Sequence, residues 1–207
     1  MKTTIAALLL FSLNACVTPA PVDYTKFKAS NPTSILILPP INHSIHPSAS
    51  NDYLSVISRP FVEQGFYVFP VAVVDAYFRN HGISEPNQIH QTSLQGLGKA
   101  FRPDAILYLE IDSWGSSYLV LTSVTKLQVR GRLVDARDGT ELWSGTHAAE
   151  EASGGGDSVG AMVAGAILRQ IVNDISNAGK TLAENTANDH YRGGNGLLKG
   201  PMAENMP

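Results

Sequence analysis

A change in hydrophobic period at Ala105 constrains this chain more than any other feature of its sequence. From that residue onward apolar and polar residues alternate, which predicts strands that bury one face and expose the other. The alternation passes a turn expected near Gly115-Ser116 and continues in a long strand over residues 118–134. Asp138-Gly139 supplies the positive-φ step of a hairpin turn, after which residues 140–149 return alongside. The pattern therefore predicts a three-stranded antiparallel meander.

The preceding segment has the pattern of an α/β protein. Ser34 is followed by four aliphatic residues that stop at Pro39, which is typical of a strand buried on both faces near the middle of a covered sheet. Residues 67–71 predict a second strand, and Pro70 suits a strand end or an edge. Helical spacing predicts helices near 51–64 (kinked or divided at Pro60), 74–80, 92–101 and 157–185. We therefore expect a single α/β (α+β) domain, three-layer-like, in which helices flank a mixed sheet that contains the meander.

The N-terminus has the layout of a secretory signal. Lys2 is followed by an apolar run over residues 5–11, and small residues precede Cys16. The run is shorter than the roughly 20 apolar residues that a membrane-spanning helix needs. A buried core helix is the alternative interpretation, and the prolines at positions 19 and 21 disfavour it.

Cys16 is the only cysteine of the chain, so it cannot form an internal disulfide. The segment Leu13-Asn14-Ala15-Cys16 resembles a bacterial lipobox. That resemblance implies cleavage before Cys16, a diacylglyceryl group on its sulfur and a further acyl chain, such as palmitate, on the new N-terminus. Several acyl chains anchor a protein stably. Val17 stands where an Asp commonly retains such proteins at the inner membrane, which implies the outer membrane and leaves a periplasmic or a surface-facing domain open.

These features divide the chain into four segments. Residues 1–15 are predicted to be a lipoprotein signal peptide, and residues 16–33, with three prolines, a lipidated N-terminus and tether. Residues 34–187 are predicted to form the α/β domain, which is large enough to bury a core without disulfides. Residues 188–207 are rich in glycine, so we expect a disordered C-terminal tail. The net charge of −3 gives no electrostatic case for nucleic-acid binding.

Few residues suggest catalytic or metal chemistry. His43 and His46 lie three apart in one predicted loop, but no His-Glu-x-x-His motif or cysteine pair accompanies them, so solvated histidines are the simpler interpretation. Glu110 and Asp112 share one strand face and could perform acid–base chemistry, although an ion pair with the Lys126–Arg132 row of the next strand explains them as well. We expect no enzyme activity, no bound metal and no cofactor.

Small residues four apart mark the start of the predicted final helix: Gly160, Ala161, Ala164 and Gly165. This spacing lets another backbone approach closely. Close packing on the chain's own sheet is one interpretation, and a helix pair across a homodimer is the other. We therefore name these four residues as candidate partner or dimer contacts.

Three stretches behind the lipobox together resemble a known group of envelope proteins. Residues 35–44 are similar to the opening strand and loop of the TolB N-terminal domain, and residues 103–111 resemble the strand that leads into its meander. Residues 134–145 resemble its Asp/Gly-turn hairpin, which CsgG-type and LpoB-type lipoproteins also contain. Residues 16–185 as a whole resemble a family of Gram-negative lipoproteins that has a meningococcal member. The resemblance implies a TolB N-terminal-like fold, a homodimer and an envelope setting.

The anchor and the resemblance lead us to expect a non-catalytic accessory lipoprotein that binds proteins through a sheet edge or the final helix, in envelope assembly, secretion or transport. The implied partners are other envelope proteins or lipoproteins, including CsgG-like ones. One alternative is a lipoprotein that binds peptidoglycan or activates a wall synthase, by analogy with the LpoB type. Another is an envelope hydrolase, which would require a pocket that gathers His43, His46 or Glu110.

Overall fold

The computed structural model describes residues 22–119, 122–153 and 164–203. The helices are α1 (Thr25–Ser30), α2 (Ala49–Glu63), α3 (Val71–Asn80), α4 (Pro86–His90), α5 (Leu94–Phe101) and α6 (Ala164–Arg192). The strands are β1 (Ser34–Ile37), β2 (Ile41–Asn42), β3 (Tyr67–Val68), β4 (Ala105–Leu119), β5 (Thr122–Asp135) and β6 (Glu141–Ser153).

The strands form one mixed sheet in the order β3-β1-β4-β5-β6, and β2 pairs separately with β4. β1 runs parallel to β3 and to β4. β4, β5 and β6 form an antiparallel meander. The predicted mixed sheet, its meander and the inner position of β1 are therefore confirmed. The hairpin turn is confirmed as well, because Gly139 between β5 and β6 has a φ of 78°.

Four aliphatic side chains after Ser34 explain how helices cover both faces of the sheet. Ile35 and Ile37 belong to the core beneath α1, α2 and α6, whereas Leu36 and Leu38 belong to the core beneath α3, α4 and α5. Each is at most 1% exposed. Burial of one such side chain contributes roughly 1.5–3 kcal/mol. The alternation of β1 between two cores produces the three layers that the sequence predicted.

The meander is covered by helices mainly on one face. Alternate residues of β5 face the core beneath α2 and α6, and the residues between them are exposed. The buried set is Leu127, Val129 and Leu133, and the exposed set is Lys126, Gln128, Arg130 and Arg132. This open, polar face is where the candidate site lies.

The prediction of a turn near Gly115-Ser116 is wrong, because β4 continues through both residues to Leu119. The pairing of β4 with β5 shifts by one residue between Ile111 and Ser113. Gly115 has a φ of 92°, and the imidazole of His46 occupies the space that a Cβ there would need. A glycine within a strand marks an irregular backbone or the close approach of another group as readily as a turn. Gly115 combines the first two, since its φ is positive and His46 lies against it.

Helix and strand boundaries differ locally from the expectations. β3 contains only two residues, and α3 begins at Val71, directly after Pro70. The helix expected from residue 92 begins at Leu94, because the hydroxyl group of Ser93 accepts a hydrogen bond from the Gly96 N–H at 3.1 Å and caps it. α2 is not divided at Pro60.

The segment expected to be an extended tether instead contains α1. Phe27 is 5% exposed and packs edge-on against Phe66, with ring centroids 6.3 Å apart. The hydroxyl group of Tyr24 donates to the carbonyl group of Gly196. The folded unit therefore begins near Val22 rather than at Ser34, because an aromatic side chain fixes this segment to the core.

The described part of the C-terminus is also folded, where we expected a disordered tail from residue 188. α6 continues to Arg192, and Leu197 is 5% exposed. The N–H of Gly200 donates to the carbonyl group of Gln64 at 2.7 Å. Glycines in this segment allow tight turns that return the chain to α2, so their presence did not indicate disorder. Among the described helices, none has the length and hydropathy of a membrane span.

Candidate functional site

The open face of the meander carries cross-strand rows of polar side chains. The strand register aligns Tyr108 with Arg132 and Ser144 in one row, and Glu110 with Arg130 and Thr146 in the next. Residues two apart on a strand point to the same face, so the two rows adjoin. The alternation that buries the opposite face therefore also assembles this surface.

Arg130 is held by two carboxylates of β4. Its Nε donates to Asp112 at 2.6 Å, and its Nη2 donates to Asp112 at 2.8 Å and to Glu110 at 2.9 Å. The hydrogen bond from Arg130 lowers the pKa of the Asp112 carboxyl group. The predicted ion pair between Glu110, Asp112 and the basic row is thus confirmed at Arg130. The two carboxylates act here as partners of a cation.

Arg132 has a different environment. Its guanidinium carbon lies 4.9 Å from the centroid of the Tyr108 ring, an arrangement that a cation and an aromatic face favour. His90 approaches the same ring edge-on at 5.3 Å, and its Nε2 donates to the carbonyl group of Pro39 at 2.8 Å. Burial lowers the pKa of His90. Among the side chains that the structure describes, no carboxylate lies within ion-pair distance of Arg132.

The two rows form the floor of a cleft of about 520 Å³, with Ile41 of β2 and His90 of α4 at its side. The lining is chemically mixed, since it offers guanidinium donors, hydroxyl groups and one aliphatic side chain. Such a cleft can bind a small polar group, and Arg132 gives it a hydrogen-bond donor of positive charge.

The structure brings together only part of the set that the hydrolase hypothesis named. The Nε2 of His43 lies 3.3 Å from the carboxylate of Glu110, but His46 packs against Gly115, and neither histidine lines the cleft. Glu110 is also bound by Arg130. Within residues 22–119, 122–153 and 164–203, no group of three or more His, Cys, Asp or Glu residues is arranged to hold a metal ion.

Two short serine motifs in the chain give this hypothesis no further support. Residues 156–160 read Gly-Asp-Ser-Val-Gly, a Gly-x-Ser-x-Gly pattern, and lie outside the described residues. Ser123 and Lys126 form a Ser-x-x-Lys pattern on β5, and the ammonium group of Lys126 forms an ion pair with Glu150 at 3.3 Å.

A buried polar network lies on the opposite, covered face. The hydroxyl group of Tyr53 is 3.1 Å from Nδ1 of His147 and 2.8 Å from the hydroxyl group of Tyr191. The Nε2 of His147 is 2.6 Å from the hydroxyl group of Thr186. His190 stacks on His147 at 4.9 Å, and its own Nε2 is buried without a hydrogen-bond partner among the residues that the structure describes. Burial lowers the pKa of His147 to about 3 and raises that of Tyr191.

β6 forms an edge of the sheet. It spans 13 residues, and within the described part of the chain its only strand partner is β5. Ser144, Thr146 and Ala148 of this strand are exposed on the open face. An edge strand presents unpaired N–H and C=O groups that can pair with another chain.

Most residues that the sequence singled out lie where their side chains are not described. Cys16, Gly160 and Ala161 fall outside the described residues, and Ala164 and Gly165 are known only as the first residues of α6. Trp114 and Trp143, the two tryptophans of the chain, are 5% and 2% exposed and pack in the core.

Sequence reasoning missed Arg132 with Tyr108, and His147 with Tyr53. The first pair is a direct cross-strand pair, so the predicted β4 and β5 would have revealed it once their register was known. Tyr53 and His147 are 94 residues apart in the chain, and no local pattern connects them.

A family model and two relatives from Neisseria meningitidis agree on one family. A family model described as "Putative lipoprotein GNA1162-like" matches residues 22–202. The "Putative lipoprotein NMB1124/NMB1162" of Neisseria meningitidis serogroup B is 40% identical over 217 residues, which cover all of both chains. The crystal structure of the lipoprotein GNA1162 from Neisseria meningitidis is 38% identical, with a TM-score of 0.55, and covers 70% of this chain and 99% of its own. The C-terminal domain of LpoB from Salmonella enterica is 18% identical, with a TM-score of 0.40, over 57% of this chain and 84% of its own.

Proposed function

We propose, from the premise that this chain belongs to the GNA1162-like lipoprotein family, that it is anchored by lipid on Cys16 and acts by binding envelope proteins rather than by catalysis. The family assignment supports a lipoprotein. The proposed protein-binding role rests on the structure of β6. We also propose that the anchor lies in the outer membrane, because Val17 stands where an Asp commonly retains such proteins at the inner membrane.

The position of α1 determines how far the domain can lie from the anchor. Val22 and Phe27 pack against the main core, so the chain between Cys16 and the folded unit contains residues 17–21 only. At full extension this stretch spans about 20 Å. A lipidated Cys16 would therefore hold the domain near the membrane surface, and its partners would be proteins at or close to that surface.

The single observation that carries the binding proposal is the unpaired edge of β6. Residues Glu141–Ser153 leave one row of backbone donors and acceptors without a strand partner among the described residues. An extended segment of another protein can add to such an edge, where main-chain hydrogen bonds supply affinity and adjacent side chains supply specificity. Here the adjacent side chains are the polar rows of the open face.

Photo-crosslinking in intact cells tests this proposal. A photoreactive amino acid at Ala148 on β6 should capture envelope proteins in the full-length lipidated chain. The matched control places the same group at Ala76, which is exposed on α3. Capture of envelope proteins from Ala148 and not from Ala76 would support binding at β6. Equal capture from both positions, or only self-contacts from Ala148, would refute it.

The candidate helix contacts remain a separate prediction. A homodimer through Gly160, Ala161, Ala164 and Gly165 would place the small residues of two copies against each other. Replacement of Gly165 by Leu should then dissociate the dimer in sedimentation experiments on the detergent-extracted protein. An unchanged oligomeric state would exclude this helix pair.

A further inference from the structure

The environment of the two arginines on the open face is asymmetric. Arg130 donates three hydrogen bonds to the carboxylates of Glu110 and Asp112. Arg132, two residues further along the same strand, contacts the face of Tyr108, and no described carboxylate pairs with it. A guanidinium group that stacks through its face keeps its N–H groups available at its edge. The N–H groups of Arg132 therefore have no carboxylate partner among the described residues.

The surroundings of Arg132 form a half-open cleft on the polar face of the meander. Its row neighbour Ser144 and the adjacent Thr146 line the same cleft of about 520 Å³. The hydroxyl group of Ser144 donates its hydrogen to Glu141 at 2.8 Å, so the donors that Arg132 offers to an anion in the cleft are its own N–H groups. Tyr108 and His90 pack edge to face and limit the directions that the guanidinium group can take.

We infer that this cleft binds the carboxylate of an acidic side chain presented by a partner protein, with Arg132 as the recognition residue. This inference rests on the proposed protein-binding function and names the chemistry that the surface selects. A carboxylate matches the guanidinium edge and can accept two parallel hydrogen bonds from it. The protein source follows from position, since Ser144 and Thr146 belong both to the cleft and to the unpaired strand β6.

The local charges favour a monoanion over a phosphate group. The charged residues that line the cleft are Glu110, Arg130 and Arg132, which together carry a net charge of about +1. Arg130 is paired with Glu110, so the remaining positive charge of the lining is that of Arg132. A single carboxylate balances this charge, whereas a phosphate dianion exceeds it and is repelled by Glu110. A segment of chain that lies along β6 would pass the mouth of the cleft and could place one acidic side chain there.

A titration of the full chain in detergent tests the inference. The probe is an acetylated and amidated pentapeptide with a central Glu between Thr residues, and the control probe has Gln at that position. Shifts of the backbone amide signals of Ser144 and Thr146 report on the cleft. The Glu peptide should bind saturably at millimolar concentration. The Gln peptide, and the Glu peptide with Arg132→Gln, should bind at least about tenfold more weakly, which corresponds to the loss of one charge-assisted interaction.

The matched control for the change in charge is Lys99→Gln, which removes an exposed cation from α5 and should leave binding unchanged. Equal binding of the Glu peptide by the wild type and Arg132→Gln would overturn the inference. Equal competition by inorganic phosphate or glucuronate would also overturn it, because the cleft would then be a general anion site. If these tests fail while Ala148 still captures envelope proteins, only the inference about the carboxylate is lost. If Ala148 captures none, the proposed function fails.

Discussion

The hydroxyl group of Tyr53 lies 3.1 Å from Nδ1 of His147. The neighbouring hydrogen bonds determine which ring nitrogen of His147 carries the hydrogen. Thr186 donates its hydroxyl hydrogen to the carbonyl group of Leu182 at 2.7 Å, so towards His147 it can only accept. The Nε2 of His147 therefore carries the hydrogen, and Nδ1 accepts from Tyr53. Tyr53 in turn accepts from Tyr191. His147 is neutral in this network, and it joins β6 to α2 and α6.

Acidification should destabilise the protein through His147. Burial lowers the pKa of His147 to about 3 in the folded state, whereas an unfolded histidine has a pKa near 6.5. The unfolded state binds more protons between these values, so stability is full above pH 6.5 and falls as the pH drops towards 3. The free energy of unfolding should be lower by about 2 kcal/mol at pH 5 than at pH 7 from this group alone. Urea unfolding at several pH values measures it.

Two variants separate this effect from general acid sensitivity. His147→Gln offers a donor and an acceptor but cannot titrate, so the dependence of stability on pH between 5 and 7 should become shallower. His81→Gln removes an exposed imidazole that follows α3 and should keep the wild-type dependence. An unchanged pH profile in His147→Gln would contradict the role assigned to this residue.

Gly145 should not tolerate a side chain, because the indole of Trp143 lies over it. A Cβ at Gly145 would lie 2.6 Å from Cζ2 of Trp143, and one at the facing Gly131 would lie 3.2 Å from Cζ3. Gly145→Ala should lower the free energy of unfolding by about 1–3 kcal/mol, the usual cost of overpacking. Gly98→Ala on α5 is the control. A Cβ at Gly98 would meet no atom within 4 Å, so this change should stabilise the helix by about 0.5–1 kcal/mol. Thermal unfolding of both variants compares them, and equal effects would argue against this packing.

Removal of the Phe27 side chain should test whether α1 belongs to the folded domain. Phe27 is 5% exposed and packs against Phe66, so Phe27→Ala should cost about 3–5 kcal/mol. Lys28→Ala on the same helix is exposed and should have little effect. Denaturant unfolding measures both. If Phe27→Ala were as mild as Lys28→Ala, the segment would behave as the tether that its prolines first indicated.

Replacement of Cys16 should release the protein from membranes. The Cys16→Ser variant cannot form the thioether to a diacylglyceryl group, so it should lose the acyl mass and move to the soluble fraction of lysed cells. Mass spectrometry of the mature chain and membrane fractionation check the two outcomes, with the wild type as the reference. A wild-type chain that begins at Met1 with an unmodified sulfur would disprove the anchor.

Local patterns were sufficient for the parts of the fold that depend on near neighbours. The four aliphatic residues after Ser34 predicted an inner strand, the alternation of β5 predicted a half-covered meander, and Asp138-Gly139 predicted its turn. Part of the candidate site followed from the same pattern, since Glu110 and Asp112 were expected to meet the basic row of β5. Gly115 was misread because a glycine in a strand can mark a turn or the close approach of another group, and only the tertiary contact with His46 and the pairing with Lys126 distinguish them.

The sequence by itself therefore determined the order of the main elements, though not α1, β2 or α4, together with the faces of the strands and the lipobox-like segment at Cys16. All of these are set by residues close together in the chain. The tertiary structure alone decided that α1 and the segment after α6 belong to the folded unit, that Tyr53 meets His147, and that Arg132 stacks on Tyr108 without a carboxylate. These contacts join residues far apart in the chain. Their free energy depends on which groups the completed sheet and helices bring together, and no local periodicity encodes that information.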